Sequence, residues 1–288
     1  MLTPSSLMNV VLKRNASRLV FTQFGVPGEV LRRETFPTPS DVSSRSEVLV
    51  KMLMSPIHPA DINTIQGSYP SLPDLPAVGG GEGVGVVVAK GSQVTNLEEG
   101  DWVFPSKNGA GTWTSHLSGP EDDFIKVRND IPVEAAATLR SNPGTAYRML
   151  RDFVQLGAGD TIIQNGSNSA VGRALIQIAR KMKLRSINVV RDREEIASLK
   201  NELKALGADH VWTEEELRKT QAFREKELER PKIAFNCVGG TSATELIKSL
   251  DHGGFHVTYG GMSLKPVTAA TSALIFKGDG NTKVLGSL

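Results

Sequence analysis

The chain has 288 residues, 39% of them hydrophobic and 22% charged, which is the composition of a folded globular protein with room for two domains. Its formal net charge is only +2, so no broad positive field points to nucleic acid, and no run approaches the roughly 18 apolar residues that a membrane span needs. The one cysteine, Cys237, excludes internal disulfides and a multi-cysteine zinc site. It lies in an apolar run, which predicts a buried structural thiol.

The first 18 residues are basic and contain no acidic side chain. Lys13, Arg14 and Arg18 precede Glu29, the first acidic residue, and serines lie among apolar positions. This composition is that of a mitochondrial presequence, and the alternative is a frayed basic tail. We expect residues 1–18 to be a presequence that directs the protein to the mitochondrial matrix.

The segment that follows, up to residue 140, has the pattern of a β-rich domain. Turn residues separate apolar runs at 48–54, 83–89, 101–105 and 111–114, and each run predicts a strand. Residues 131–150, which include three consecutive alanines, favour a connecting helix.

Residues 161–193 predict a strand, a tight loop, a helix and a second strand, which is the opening unit of a dinucleotide-binding fold. The glycine fingerprint of the loop is weak, because Ser167 and Ser169 stand at two of its three glycine positions and only Gly172 is kept. The loop alone leaves a nucleotide site and an ordinary strand–helix turn equally open. Arg191 and Arg193 flank Asp192 at the end of the second strand and favour a 2′-phosphate, hence NADP over NAD.

Strands and helices continue to alternate downstream. We predict helices at 194–206 and 244–250, strands at 210–212, 233–238 and 255–259, and an exposed charged helix within 214–230. This alternation predicts an α/β fold with a doubly wound parallel sheet, of which five strands are found.

Several motifs together resemble the zinc-free medium-chain dehydrogenase/reductase superfamily and, within it, the mitochondrial 2-enoyl thioester reductases. The segments that carry the resemblance are 59–85, 100–113, 142–150, 162–172, 187–193, 236–240 and 257–262. The similarity covers about residues 19–277. It implies a GroES-like substrate domain at 19–140, a Rossmann NADP-binding domain at 141–277 and a divergent tail at 278–288.

The resemblance also implies an activity. It is the NADPH-dependent reduction of trans-2-enoyl thioesters, carried by coenzyme A or by acyl carrier protein, in mitochondrial fatty acid synthesis. Tyr69 matches the proton donor of the family. Without the resemblance, the residue itself favours a loop tyrosine packed on the surface. The zinc-dependent relatives have a histidine before the glutamate of their glycine-rich turn, but Gly81 precedes Glu82 here, so no zinc site is expected.

The resemblance implies that the positions that contact NADPH in the family correspond to four short parts of this chain. A capping role for Asn142 and a plain turn at 259–261 are the simpler alternatives. The implied cofactor residues are Asn142, Asn168, Ser169, Ala170, Val171, Arg191, Asp192, Arg193, Tyr259, Gly260, Gly261 and Met262.

The chain departs from the family pattern at two places. His58 replaces the usual asparagine, and we expect it to be a neutral, hydrogen-bonded loop residue. The tail does not continue into the sixth strand and the return segment of the family, so we expect a C-terminally truncated chain that does not form the family's homodimer. Two alternatives remain open: a quinone oxidoreductase of the same superfamily, and a non-catalytic form that binds nucleotide or a protein partner.

Overall fold

The computed structural model of the chain describes residues 15–107 and 109–269. The expectations for the start of the presequence and for the tail at 278–288 concern residues outside this range. The chain divides between Ser141 and Asn142 into two compact units. The first strand of the described residues, β1, begins at Ala16, which is buried, so the described fold includes the last residues of the segment predicted as a presequence.

The first unit is built from two antiparallel sheets. One has the strand order β2-β1-β4 and the other β7-β3-β5-β6-β8. The strands are β1 (Ala16–Phe21), β2 (Arg32–Phe36), β3 (Glu47–Met54), β4 (Ala77–Val78), β5 (Val84–Lys90), β6 (Trp102–Pro105), β7 (His116–Pro120) and β8 (Phe124–Val127). The helices are α1 (Pro27–Val30), α2 (Pro59–Ile65) and α3 (Val133–Ala137).

The larger sheet forms where the sequence predicts strands, because its β-branched runs supply a continuous core. Val48, Val50, Val87 and Val103 pack together beneath Phe124. The predictions at 48–54, 83–89 and 101–105 are confirmed by β3, β5 and β6.

The strand predicted at 111–114 is wrong, because this segment is a loop. Gly111 has φ +71°, which an extended strand does not allow, and Thr114 makes only an isolated bridge to Arg18. The Trp113 indole covers the glycine turn at 79–80, and its Nε1 donates to the carbonyl oxygen of Pro56 at 3.0 Å.

The single helix predicted at 131–150 is also wrong. α3 ends at Ala137, and a new helix, α4 (Asn142–Asp152), begins after a break at 138–141. Pro143 has no backbone N–H, so it is compatible with the first turn of a helix and not with the interior of a longer one.

The second unit contains a doubly wound sheet of five parallel strands, which confirms the sequence-based prediction of the sheet type and the five strands. The strand order is β11-β10-β9-β12-β13. The strands are β9 (Thr161–Gln164), β10 (Arg185–Val190), β11 (His210–Thr213), β12 (Ile233–Asn236) and β13 (Phe255–Thr258). The helices, besides α4, are α5 (Ala170–Lys181), α6 (Ile196–Leu206), α7 (Glu214–Lys219) and α8 (Gly240–Ser249).

Both faces of this sheet are covered, which is why its strands are apolar without alternation. On one face Ile162 and Phe235 pack against Leu150 of α4 and Leu175 of α5. On the other face Ile163 belongs to a second cluster that includes side chains of α7 and α8. None of the helices in the described ranges is long and apolar enough to cross a membrane.

The long exposed helix predicted within 214–230 is shorter and less exposed than expected. α7 has six residues and begins at a capping box between Thr213 and Glu216. Leu217 is buried, and Phe223 and Leu228 pack against the same cluster, so the charged segment also contributes to the core.

His256, on β13, is fully buried, and neither ring nitrogen has a hydrogen-bond partner among the described residues. Burial lowers the pKa of His256 from 6.5 to about 4. The unfolded chain therefore binds one more proton than the folded chain between these two pH values, and stability should decrease as the pH falls below 6.5, by roughly 3 kcal/mol in total.

We expect His256→Leu to raise the melting temperature more at pH 5 than at pH 7.5, because leucine has no ring to protonate. Thermal unfolding of both proteins at the two pH values measures the difference. An equal gain at both values would show that titration of this ring does not limit stability.

Candidate active site

The loop between β9 and α5 lacks two fingerprint glycines, and the structure explains how serine replaces them. The buried Ser167 hydroxyl donates to the carbonyl oxygens of Val189 at 3.0 Å and Gln164 at 3.2 Å. Ser169 has φ −70° and ψ 165°, an extended conformation open to any residue, and its Oγ accepts from the N–H of Gly172 at 3.1 Å. Serine therefore fits both positions and also caps the helix.

The third glycine is kept for a steric reason. A Cβ on Gly172 would lie 2.6 Å from the carbonyl oxygen of Ser167, so only glycine allows α5 to start this close to the loop. The 12-residue α5 directs the N–H groups of its first turn, which includes Ala170 and Val171, toward the space beyond the loop. Such a helix start binds phosphate groups.

A buried amide cluster lies where the strand order reverses, between β9 and β12. Asn165 Nδ2 donates to Asn236 Oδ1 at 2.8 Å, and Asn165 Oδ1 accepts from the N–H of Cys237 at 2.8 Å. Ser242 of α8 completes the cluster at 3.2 Å. The sequence analysis missed this cluster, although an asparagine at the end of each of two buried strands was a visible signal.

Arg191, Asp192 and Arg193 lie exposed just beyond the carboxyl end of β10. Asp192 Oδ1 accepts from the N–H of Arg193 at 2.9 Å, so the carboxylate is turned to the backbone. Within the described residues neither guanidinium forms an ion pair, which leaves both able to bind an anion.

The segment after β13 runs beside the end of β12. The N–H of Met262 donates to the carbonyl oxygen of Cys237 at 2.9 Å, and Gly260 is so close that a Cβ would lie 3.3 Å from Cys237 Cβ. The Tyr259 hydroxyl is buried near Cys237 and Ser169. It forms no hydrogen bond of normal geometry with a described residue, and its burial raises the pKa of the phenol well above the ordinary value. Burial likewise raises the pKa of the Cys237 thiol, as expected for a structural cysteine.

The second unit thus brings together three of the four predicted cofactor segments, 168–171, 191–193 and 259–262, because all three follow the carboxyl ends of parallel strands. Asn142 is the first residue of α4, a helix that packs against α5 through Met149 and Leu150.

Tyr69 belongs to the first unit and lies four residues after the end of α2. Its side chain is 37% exposed and is followed by the exposed Leu72 and Leu75. Gly67 has φ +75°, and a Cβ there would lie 3.0 Å from Phe24 Cβ, so glycine is required for this turn. The predicted site residues therefore form two groups, one in each unit.

His58 and Glu82 form a pair that the sequence did not predict. Glu82 is 1% exposed, and its Oε2 lies 2.6 Å from His58 Nε2. The hydrogen bond expected of His58 is therefore present. That bond, reinforced by the charges of Glu82 and Asp61, raises the pKa of His58 and so favours the protonated ring more than the expected neutral imidazole would have it. Among the described residues, no group of three or more histidine, cysteine, aspartate or glutamate side chains could hold a metal ion.

Comparison with known proteins gives the family. Residues 44–129 match the alcohol dehydrogenase GroES-like domain, and residues 170–288 match the family described as zinc-binding dehydrogenase. The chain is 53% identical over 276 residues to the mitochondrial enoyl-[acyl-carrier-protein] reductase of Xenopus tropicalis, an alignment that covers 94% of this chain and 76% of the relative.

Solved structures agree with this similarity. The complex of Etr1p with NADP and crotonyl-CoA superposes with a TM-score of 0.88 at 38% identity, covering 95% of this chain and 82% of the other. A putative NADPH:quinone reductase from Bacillus thuringiensis is more distant, with a TM-score of 0.78 at 26% identity, covering 94% and 79%.

A GroES-like unit followed by a doubly wound nucleotide unit defines a reductase of the medium-chain dehydrogenase/reductase class. Within that class, the chain belongs to the mitochondrial enoyl-[acyl-carrier-protein] reductases.

Proposed function

We propose that this chain reduces trans-2-enoyl thioesters to saturated acyl thioesters with NADPH, in mitochondrial fatty acid synthesis. The observation that carries the proposal is the two exposed arginines beyond β10, neither of which forms an ion pair with a described residue, in a chain that is 53% identical to an enoyl-[acyl-carrier-protein] reductase. The quinone reductase shares the fold but is only 26% identical to this chain. The more similar enoyl reductases therefore favour an enoyl thioester over a quinone as the substrate.

NADPH fits the residues present in the second unit. The start of α5, capped by Ser169, offers N–H groups to the pyrophosphate, with Asn168, Ala170 and Val171 around it. Arg191 and Arg193 hold the 2′-phosphate, and Asp192 fixes the turn between them. Asn142 and the segment Tyr259, Gly260, Gly261 and Met262 complete the contacts to the cofactor.

Bound NADPH supplies the hydride that adds to the β-carbon of the enoyl group. Negative charge then develops on the thioester oxygen, and the α-carbon must receive a proton. The Tyr69 side chain carries a phenolic O–H and is half-exposed on its loop, so it acts as the proton donor and as a hydrogen-bond donor to the developing enolate.

Coenzyme A and acyl carrier protein both present the acyl group as a thioester, and the chemistry at the double bond is the same for both. We therefore propose enoyl-CoA and enoyl-acyl carrier protein as substrates. Crotonyl-CoA is the practical probe, because it is the ligand in the Etr1p complex.

Tyr69→Phe should lower kcat for crotonyl-CoA by about a hundredfold, because phenylalanine has no proton to donate. NADPH oxidation with crotonyl-CoA measures the rate, and Tyr147→Phe is the matched control, since Tyr147 is also an exposed tyrosine, on α4. Full activity of Tyr69→Phe would exclude the assigned role. Faster turnover of a quinone than of crotonyl-CoA would favour the alternative enzyme, and NADPH binding without any turnover would favour a non-catalytic form.

The double variant Arg191→Ala and Arg193→Ala should weaken NADPH binding by at least about tenfold and leave NADH binding nearly unchanged, because charge-assisted hydrogen bonds to a phosphate contribute roughly 1.5–3 kcal/mol. Fluorescence titration with each cofactor measures both constants. Arg218→Ala, which removes an exposed arginine from α7, is the control. Equal losses for the two cofactors would assign the arginines to structure instead.

We also propose that the protein works in the mitochondrial matrix. Residues 1–15 precede β1, contain Lys13 and Arg14, and have no acidic side chain. A fluorescent protein carrying these residues should enter the matrix, and Lys13→Glu with Arg14→Glu should prevent its import. A cytosolic signal from the unaltered fusion would contradict the proposal.

A further inference from the structure

Glu82 is a buried carboxylate that the proposed chemistry does not use. One oxygen pairs with His58 Nε2 at 2.6 Å, and the other accepts from the N–H of Ser141 at 2.7 Å. A buried carboxylate is costly unless its oxygens are hydrogen-bonded, and here each oxygen has a donor. Glu82 therefore joins the start of α2 to Ser141, the last residue of the first unit.

Asp61 holds the same corner from the opposite side. Its Oδ2 accepts from the N–H of His58 at 2.7 Å, and its Oδ1 accepts from the N–H of Gly81 at 2.9 Å. His58 is thus held at its backbone by Asp61 and at its side chain by Glu82. The start of α2 is fixed to the glycine turn by two carboxylates.

The other end of α2 carries Tyr69 on a short, tightly bonded turn. The N–H of Gly67 donates to the carbonyl oxygen of Thr64 at 3.0 Å, and the N–H of Ser68 donates to that of Asn63 at 2.9 Å. Because Tyr69 follows directly, a shift at the start of this seven-residue helix is transmitted to the phenol.

We propose that Glu82 is a positioning residue for Tyr69, acting through His58 and α2. The inference rests on the proposed function in taking Tyr69 as the proton donor. It adds a residue that touches neither substrate nor cofactor and whose carboxylate determines where the proton donor is held.

Charge strengthens this connection. The charged groups that act on the imidazole are Glu82 from the glycine turn and Asp61 from α2. Arg140 supports the same turn, because it donates to the carbonyl oxygen of Gly81 at 3.2 Å. Since the pKa of His58 is raised, the protonated pair contributes stability below pH 6.5, and this contribution is lost as the pH rises through the folded-state pKa.

The test compares Glu82→Ala, Glu82→Gln and, as a matched control, Val84→Ala. Glu82→Ala should lower kcat for crotonyl-CoA by at least about tenfold, because it releases both donors, while the KM for NADPH stays within about twofold. Glu82→Gln should recover kcat to within about threefold, because the amide oxygen can accept from Ser141 and the amide N–H can donate to a neutral His58. Val84 is buried in the same region, so Val84→Ala should lower the melting temperature without lowering kcat.

The imidazole itself gives a second measurement. In an NMR titration, the pKa of His58 should lie above its ordinary value in the natural protein and fall in Glu82→Gln, where only the neutral ring accepts the amide N–H. Three results would each overturn the proposal: a His58 pKa that does not change in Glu82→Gln, a kcat that does not change in Glu82→Ala, and an equal loss of kcat in Val84→Ala.

Failure of the proposed function has a different signature. If the natural protein does not reduce crotonyl-CoA, or if Tyr69→Phe is fully active, the proton-donor assignment fails and amide hydrogen exchange decides the positioning claim. Faster exchange in Glu82→Ala across residues 58–69 and at Ser141, reversed in Glu82→Gln, supports the connection. Unchanged exchange in these residues overturns it.

Discussion

The second unit depends on the central position of β9 between β10 and β12. From β9 the chain proceeds to β10 and β11 on one side and later returns to β12 and β13 on the other. This reversal separates the loops at the carboxyl ends of β9 and β12 and opens a crevice between them. The Asn165–Asn236 hydrogen bond joins the ends of β9 and β12 at 2.8 Å, so the strand ends beside the proposed cofactor loop are fixed by polar contacts and not by apolar packing alone.

The last residue of β9, Gln164, also holds the loop between β9 and α5. The Gln164 side chain, fully buried, donates to Asn188 Oδ1 at 2.8 Å and to the carbonyl oxygen of Gly172 at 3.0 Å. These two bonds use both N–H groups of the Gln164 amide, while its Oε1 has no partner among the described residues. Any other arrangement of the loop would leave a buried donor unpaired as well, so the two bonds favour this one. The serines that replace two glycines are compatible with a nucleotide loop because these contacts already determine its path.

In the first unit, the buried side chain of Glu82 fixes the surrounding segments by polar contacts in the same way. Glu82 lies in a turn whose glycines allow Trp113 to approach closely, since a Cβ on Gly80 would lie 2.4 Å from the indole. Trp113 in turn holds Pro56, two residues before His58. The start of α2, the helix that precedes the Tyr69 loop, is therefore held by Asp61 within the helix and by Glu82 and Trp113 from other parts of the first unit.

The sequence by itself determined the fold class, the five parallel strands and the group of loop residues at their ends, because apolar periodicity and turn residues are local properties of the chain. It did not determine the break between α3 and α4, the loop at 111–114 or the short α7, where Pro143, Gly111 and the burial of Leu217 override a local pattern. The His58–Glu82 pair was decided only by tertiary structure, because its partners are 24 residues apart and only the folded chain brings Nε2 and Oε2 within 2.6 Å.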